Sequence, residues 1–494
     1  MCGIINVAPF GVTFFYRKEQ AVMRDFKEIE YNPVSYWLTM TDDEKNEAME
    51  FSKDYIDFMN AAKTEREVVE HIVNLVKKAG YEDFDKLIEA GTQLTPGQKI
   101  YSVSKEKALI LAVIGKDSPE KGFTIIGSHV DAPRLDFKPN PLYEDTSFAL
   151  AKTHYYGGVK KYQWVAIPLA MHGVVVKNDG TKVNIRIGDK EEDPVFTISD
   201  LLPHLSADQL KKEASNFITG ENLNVFLGSI PLKVEKDSKE INLIKKNILG
   251  FLFDEYGIRE RDFATAEIEV VPAFKAKDVG LDRGLVGAYA QDDRICAYTS
   301  LRALLEIENP EKTCICYFSD KEEIGSVGIT GARSNHFETF IYELCYALTN
   351  DANPLTPRRA LKASKMLSAD VTAGFDPTFP EVSDKTNATY IGRGISIAKY
   401  TGSRGKSGAS DANPEFIAEY TALLNEESIP WQIGEMGRID LGGGGTIAQF
   451  MADIGIEVLD CGPCVLSMHS PFEVTSKADI YGSYRAYKCF YEKM

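Results

Sequence analysis

The sequence lacks any hydrophobic segment long enough to cross a membrane as a helix. Its longest apolar run, residues 108–114, is far shorter than the roughly 20 residues that a bilayer requires. Residues 1–15 are mildly apolar but have no basic start, so we expect no signal peptide. The eight cysteines are sparse for 494 residues and form no disulfide framework, which favours a reducing, cytoplasmic location.

Positive charge is also scarce, because 56 Lys and Arg residues stand against 73 Asp and Glu residues, a formal net charge of −17. Binding to nucleic-acid phosphates requires clustered Lys and Arg, so this balance argues against a general nucleic-acid binder. It argues equally against docking on an anionic membrane surface. We therefore expect neither nucleic acid nor membrane as a partner, although a local basic pocket is compatible with these totals.

The order of apolar segments predicts an α/β fold. Apolar positions in residues 20–80 recur at helical spacing, and further along the chain short apolar runs alternate with long amphipathic segments. This alternation predicts a mainly parallel sheet flanked by helices. The predicted strands are residues 108–114, 124–126, 314–318, 366–369, 395–400 and 456–459.

Residues from about 150 to 275 follow a different pattern, with short alternating strands and polar turns such as Asn178-Asp179-Gly180. This pattern predicts a β-rich domain inserted into the α/β domain. The predicted division is a discontinuous α/β domain, residues 1–148 and 277–494, and an inserted domain, residues 149–276.

A histidine and an aspartate follow one of the predicted strands, in Gly127-Ser128-His129-Val130-Asp131. Imidazole is a common metal ligand, and a carboxylate two residues later can fix its tautomer and raise its basicity. The pair alone is a weak motif, and a hydrogen-bonded structural histidine is the ordinary alternative.

Other candidate ligands stand where further strands end or helices begin. Each has an ordinary explanation alone, such as a helix N-cap or a solvated loop, but the carboxyl edge of a parallel sheet is where α/β enzymes hold ligands. Together they supply histidines and carboxylates, which are ligands of Zn²⁺, and a carboxylate shared by two ions about 3.5–4 Å apart would form a two-metal hydrolytic site. Of two adjacent carboxylates, one can bind metal while the other acts as a general base. These candidates are Asp292, Asp293, Glu322, Glu323, Asp370 and His469.

Several competing motifs are incomplete. Arg404-Gly405-Lys406-Ser407 resembles the end of a phosphate-binding loop, but Tyr400 stands where that loop requires glycine. Cys461-Gly462-Pro463-Cys464 has redox spacing, yet it has no second CxxC, and buried structural cysteines are the favoured interpretation. Met1-Cys2-Gly3-Ile4 resembles the start of amidotransferases with an N-terminal cysteine nucleophile over only four residues.

The ordered set of segments resembles the M18 family of metallo-aminopeptidases, which includes aspartyl aminopeptidases. From about residue 20 onward the matching segments include Ser128-His129-Val130-Asp131, Asp292-Asp293, Glu322-Glu323-Ile324-Gly325, Ser368-Ala369-Asp370 and Met468-His469-Ser470. The resemblance implies two zinc ions per subunit. His129, Asp292 and Asp370 would hold one ion; Asp292, Glu323 and His469 would hold the other. Asp131 would orient His129, and Glu322 would be the general base.

The resemblance also implies substrates and partners. Peptides would lose their N-terminal residue, and the inserted domain would cap the site and form dimers that build a dodecamer. His172 resembles a family histidine that reaches a neighbouring active site, with a core histidine as the alternative. Lys399 resembles a family lysine near the substrate pocket, with a surface lysine as the alternative. Gly445, in a glycine-rich turn, would present its backbone to the substrate.

Departures from the aspartyl aminopeptidase pattern include Val130 and Ala132, where Thr and Ser are expected. They leave the metal chemistry intact but put a preference for acidic N-terminal residues in doubt, and they indicate a prokaryotic-type member. The rival interpretations are a two-metal N-acyl-amino-acid deacylase or carboxypeptidase, the Cys2 amidotransferase, and a catalytically inactive shell-forming scaffold. Co²⁺ or Mn²⁺ would suit similar ligands.

Overall fold

The computed structural model describes residues 29–235 and 238–494. Its largest element is a nine-stranded sheet, so the predicted α/β class is confirmed, but the sheet mixes parallel and antiparallel pairs. The four central strands, from Cys314–Ser319 to Glu457–Gly462, run parallel, and antiparallel pairs flank them on both sides. In spatial order the strands are Glu82–Asp83, Lys99–Ser104, Ala108–Val113, Cys314–Ser319, Thr124–His129, Lys365–Ser368, Glu457–Gly462, Ile395–Ala398 and Trp431–Ile433.

Helices cover both faces of this sheet, because successive side chains of its buried central strands point to opposite sides. Ile126 belongs to the core on one face, and Ile125 to the core on the other. The first face is covered by helices Asp42–Ala61, Glu65–Lys78, Gln291–Leu305, Pro414–Glu426 and Lys477–Lys493. The second is covered by Phe84–Glu89, His336–Thr349, Leu355–Ala363 and Ala448–Asp453.

The predicted helical segment at 20–80 contains three helices in its described part. They are Tyr36–Thr39, Asp42–Ala61 and Glu65–Lys78. Thr41 and Thr64 cap the two longer helices, each in a reciprocal capping box with a glutamate three residues later. Residues 20–28 of this prediction, the expected absence of a signal peptide in residues 1–15, and Cys2 lie outside the described residues.

A second, six-stranded antiparallel sheet accounts for the β-rich segment. It begins at Arg134, before the sequence-based boundary at residue 149, because Arg134–Asp145 and Phe148–Tyr156 form one hairpin that turns at Thr146. Helices Ala214–Phe217 and Leu243–Tyr256 accompany this sheet. In spatial order its strands are Lys182–Ile187, Leu169–Val176, Ala266–Pro272, Arg134–Asp145, Phe148–Tyr156 and Asn224–Gly228.

Smaller sheets join distant segments near the carboxyl edge of the large sheet. Strand Glu473–Ser476 pairs with Leu285–Ala288, which also pairs with Lys277–Val279. Two-stranded pairs join Thr372–Ala373 to Cys464–Val465, and Gly402–Ser403 to Gly443–Gly444. These contacts hold the loops that surround the edge.

The seven cysteines in the described part of the chain are all buried and unpaired. Burial raises the pKa of the Cys461 thiol and that of the Cys464 thiol, so neither is poised for thiolate chemistry. The interpretation of this CxxC as structural is therefore supported. Across residues 29–235 and 238–494, no helix has both the length and the apolar character that a membrane span requires.

Shortening one buried side chain of the central strand, Ile126, tests this assignment of the core. Ile126 has no exposed surface, so Ile126→Ala should lower the free energy of unfolding by about 2–5 kcal/mol through lost burial and a cavity. The matched change Leu38→Ala, at a side chain that is 81% exposed, should cost no more than about 0.5 kcal/mol. Denaturant titration of both variants measures the difference, and equal losses would contradict this placement of the core.

Candidate metal centre

The predicted ligands meet at the carboxyl edge of the central parallel strands. His129 ends strand Thr124–His129, Glu322 and Glu323 follow Cys314–Ser319, and Asp370 follows Lys365–Ser368. Asp292 stands in the first turn of helix Gln291–Leu305, and His469 precedes strand Glu473–Ser476. Parallel strands end at a common edge, which is why residues far apart in sequence share one site.

Asp292 lies between the two histidines. Its Oδ1 is 3.1 Å from Nε2 of His129, and its Oδ2 is 3.1 Å from Nε2 of His469. Oε1 of Glu323 is 3.4 Å from the same His469 nitrogen. Two groups have potential ligand atoms within 4.8 Å of one another: His129 with Asp292 and Glu323, and His129 with Glu322 and Asp370.

The electrostatics of this cluster fit a divalent cation. Burial raises the pKa of Glu322 to about 7 and the pKa values of Glu323 and Asp370 well above their usual range. Oε1 of Glu323 is buried without a hydrogen-bond partner. Buried carboxylates gathered in this way require a counter-charge, and the His and carboxylate donor set suits Zn²⁺. The residues present therefore form a candidate metal site.

Asp131 contacts three residues of the cluster on the side away from Asp292. Nδ1 of His129 lies 3.1 Å from the backbone oxygen of Asp131 and 3.3 Å from Oδ1 of Asp131. The backbone N–H groups of Glu322 and Glu323 donate to its two carboxylate oxygens at 3.1 and 3.2 Å. This one buried carboxylate thus connects the predicted base with two predicted ligands.

Three groups at the site are not among the residues predicted from the sequence. Glu473 accepts the backbone N–H groups of Asp292 at 3.0 Å and His469 at 2.6 Å. Tyr156 donates to Asp131, and the carbonyl of Gly158 lies 3.1 Å from Nδ1 of His469. Glu473 could have been suspected, since it follows His469 by four residues at the start of a strand; the other two carry no local signal.

A cavity of about 790 Å³ opens beside the cluster. Asp292, Glu322, Glu323, Asp370 and His469 line one part of it. The wall includes Gly445 and three basic residues, Arg404, Lys406 and Arg438, and the predicted contact of Gly445 with substrate stays a prediction. Lys399 is exposed, and its neighbours Ala398 and Tyr400 line the cavity instead.

His172 does not join the site. It has no exposed surface, and its Nδ1 and Nε2 lie 2.8 Å from Glu67 and 3.3 Å from Asp189. Within this chain both ring nitrogens face carboxylates, and the predicted contact of His172 with a neighbouring active site stays a prediction. Its surroundings correspond to the alternative of a core histidine.

Comparison with known proteins identifies the family. A family model described as Aminopeptidase I zinc metalloprotease (M18) matches residues 58–491. A probable M18 family aminopeptidase 1 from Clostridium acetobutylicum is 50% identical over 454 residues, covering 92% of this chain and 97% of the relative. The crystal structure of an M18 family aminopeptidase from Thermotoga maritima superposes with a TM-score of 0.88 at 44% identity, covering 94% of this chain and all of the other.

The fold and the donor set thus define a metal-dependent aminopeptidase. More particularly, the chain belongs to the M18 family of zinc metallo-aminopeptidases. The mApe1 dodecamer of S. cerevisiae, 21% identical, shares the fold with a TM-score of 0.73 over 92% of this chain and 98% of its own.

The ionisation of the site predicts how zinc stabilisation depends on pH. Burial lowers the pKa of His469, but the hydrogen bond to Asp292 and the charge of Glu323 outweigh it and raise the pKa to about 10. In metal-free protein this histidine stabilises the fold fully below its usual pKa of 6.5 and loses that contribution as pH rises through 10. Burial raises the pKa of Glu322 to about 7, so between pH 4.5 and 7 the folded metal-free protein binds a proton that the unfolded chain has lost. The free energy of unfolding therefore falls across that interval as pH rises.

Zinc bound by His469 and close to Glu322 would displace these protons, so the increase in melting temperature on adding zinc should grow between pH 6 and pH 8. Thermal unfolding with zinc or with chelator measures this increment. Asp292→Ala, which removes the carboxylate between the histidines, should abolish it. An increment that shrinks with rising pH would contradict this ionisation of the cluster.

Proposed function

We propose that the chain is a dinuclear zinc aminopeptidase that hydrolyses the N-terminal residue from peptides. The observation that carries this proposal is Asp292, whose two oxygens each lie 3.1 Å from a different histidine. His129, Asp292 and Asp370 would hold one ion, and Asp292, Glu323 and His469 the other. Co²⁺ or Mn²⁺ would suit the same donors.

Bound zinc would supply a Lewis acid that acidifies a water molecule and polarises the scissile carbonyl. The chain supplies the proton transfer through Glu322. This side chain lines the cavity, with Oε2 3.9 Å from Nε2 of His129, while its backbone N–H is fixed on Asp131. Glu322 would accept the proton of the attacking water and pass it to the leaving amine. Asp131 would orient His129 throughout.

The charges of the cavity support a peptide substrate bound by its N-terminus. A free α-amino group is a cation, and the carboxylate-rich end of the cavity favours it. The basic side chains Arg404, Lys406 and Arg438 line the same cavity and would favour an acidic side chain on that residue. Gly445 would offer its backbone to the substrate, and Lys399 would add positive charge at the rim.

We further propose a homo-oligomer in which residues 149–276, together with the hairpin strand that begins at Arg134, form the dimerising and capping unit of a dodecamer. Exposed apolar side chains on this unit, including Leu202, Leu205, Phe251 and Phe253, support an interface there. The dodecameric mApe1 of S. cerevisiae has the same fold. The buried, unpaired cysteines are compatible with a cytoplasmic location.

The rival function is a two-metal deacylase or carboxypeptidase, which would use the same ligands but recognise the other end of a substrate. Aminoacyl chromogenic amides and N-acylated amino acids separate the two, assayed with zinc-loaded enzyme. We expect cleavage of the amides with a free α-amino group, with acidic residues favoured. Cleavage restricted to the blocked substrates would refute the aminopeptidase proposal.

Replacing the proposed base tests the mechanism. Glu322→Gln keeps the size of the side chain but cannot accept the proton, so kcat should fall by about 10²–10⁴ while the zinc content stays at the wild-type value. Steady-state kinetics with metal analysis measures both. Cys2→Ala is the control, because turnover depends on that thiol only in the amidotransferase alternative. Near-normal turnover by Glu322→Gln would remove its assignment as base.

A further inference from the structure

The end of one strand of the six-stranded sheet enters the metal centre. Strand Phe148–Tyr156 belongs to that sheet, and the next two residues are Gly157 and Gly158. Tyr156 contacts Asp131 behind His129, and Gly158 contacts His469. One three-residue segment from the other sheet, Tyr156-Gly157-Gly158, therefore contacts His469 directly and Asp131, the neighbour of His129.

Tyr156 is fixed by its own neighbours. In the register of the hairpin it lies directly across from Arg134, whose guanidinium stacks 3.8 Å from the centre of the phenol ring. Arg134 is itself held by Asp136 at 2.8 Å, Glu269 at 3.2 Å and Glu65 at 3.4 Å. The ring thus has little freedom to move its hydroxyl away from Asp131.

The hydroxyl of Tyr156 fixes the carboxylate of Asp131 beside His129, whose Nδ1 also lies 3.1 Å from the backbone oxygen of Asp131. It donates to Oδ2 of Asp131 at 2.9 Å, the same oxygen that accepts the N–H of Glu323, and leaves Oδ1 beside Nδ1 of His129. An acceptor at Nδ1 keeps the proton there, so that Nε2 offers its lone pair towards Asp292.

Gly158 has the same effect on the second histidine. Its carbonyl oxygen can only accept a hydrogen bond, so Nδ1 of His469 must be the donor across their 3.1 Å separation. Nε2 of His469 is then free to offer its lone pair beside Asp292 and Glu323. A backbone carbonyl thus faces Nδ1 of each histidine, that of Gly158 for His469 and that of Asp131 for His129, where the Asp131 carboxylate lies beside it.

Gly157 allows the backbone of the segment to approach the side chain of Glu323 closely. Its φ of +72° is a left-handed conformation, and a Cβ built there would lie 3.3 Å from Cβ and 3.4 Å from Oε2 of Glu323. Any side chain at this position would press on a predicted ligand. Glycine suits this position because of its left-handed backbone and because the space beside Glu323 is tight.

We propose that Tyr156-Gly157-Gly158 is a positioning segment that orients one predicted metal-binding histidine, His469, directly and the other, His129, through Asp131. The proposal rests on the metal site of the proposed function. It makes the six-stranded sheet a part of the metal centre, in addition to any role in capping or dimerisation. Tyr156 is a positioning residue, since it acts through Asp131.

Zinc affinity, measured by chelator competition, tests the role of Tyr156. Tyr156→Phe keeps the ring on Arg134 and removes only the hydroxyl, and it should weaken zinc binding by about 10- to 100-fold. The matched control is Tyr491→Phe, which removes a buried hydroxyl that donates to the carbonyl of Ile315 at 3.0 Å. This control should lose stability without losing zinc affinity.

A second pair of variants tests the backbone of the segment. Gly157→Ala and Gly180→Ala both place a side chain at positive φ, +72° and +85°, but a Cβ at Gly180 meets no atom within 4 Å. Only Gly157→Ala should weaken zinc binding, through displacement of Glu323. This pair decides the matter even if Tyr156→Phe fails to fold.

The outcomes separate this inference from the proposed function. If the wild-type chain binds no zinc, the proposed function itself fails. If the wild-type chain binds zinc and Tyr156→Phe or Gly157→Ala binds it equally well, the positioning segment is refuted and the proposed function stands. Equal losses of zinc affinity in Tyr156→Phe and Tyr491→Phe would also overturn the inference, because a general loss of stability would then explain both.

Discussion

The candidate metal centre depends on one buried carboxylate, Asp131. Its oxygens receive hydrogen bonds from the backbone N–H groups of Glu322 and Glu323 and from the hydroxyl of Tyr156, and Nδ1 of His129 lies beside them. A buried anion is stable only when its lone pairs are satisfied in this way. Strand ends from two different sheets must therefore be correctly placed before the carboxylate can be accommodated, and the geometry of the candidate site depends on that requirement.

Much of the nine-stranded sheet and the candidate cluster could be predicted from the sequence. Apolar runs such as 314–318 and 124–126 define strands, and a polar residue at the end of such a run must lie at the sheet edge. Site residues adjacent in sequence to a strand end can therefore be identified without a structure. Residues that approach from another sheet cannot, because Tyr156 and Gly158 belong to a segment whose alternating pattern only predicts a strand. The predicted boundary at 149 falls inside a hairpin for the same reason, since pairing between Arg134–Asp145 and Phe148–Tyr156 is a tertiary property.

His172 shows the opposite difficulty. Its sequence context matches a residue with a role in catalysis, yet its ring is enclosed by Glu67 and Asp189. A histidine in an apolar strand needs partners for both nitrogens, and sequence alone does not reveal whether they come from the same chain. The excess of acidic residues is similarly uninformative about the cavity, whose wall combines carboxylates at one part with Arg404, Lys406 and Arg438 elsewhere.

The wide spacing of the candidate ligands along the chain also determines when the site can exist during synthesis. His129 leaves the ribosome long before Asp292, and His469 emerges after every other candidate ligand. Strand Glu473–Ser476, which carries the carboxylate that fixes His469, emerges later still. A chain translated only as far as residue 468 therefore has an incomplete candidate donor set. Assembly of the candidate site therefore waits for His469 and for the strand that follows it, even though the sheet edge that holds His129 can form earlier.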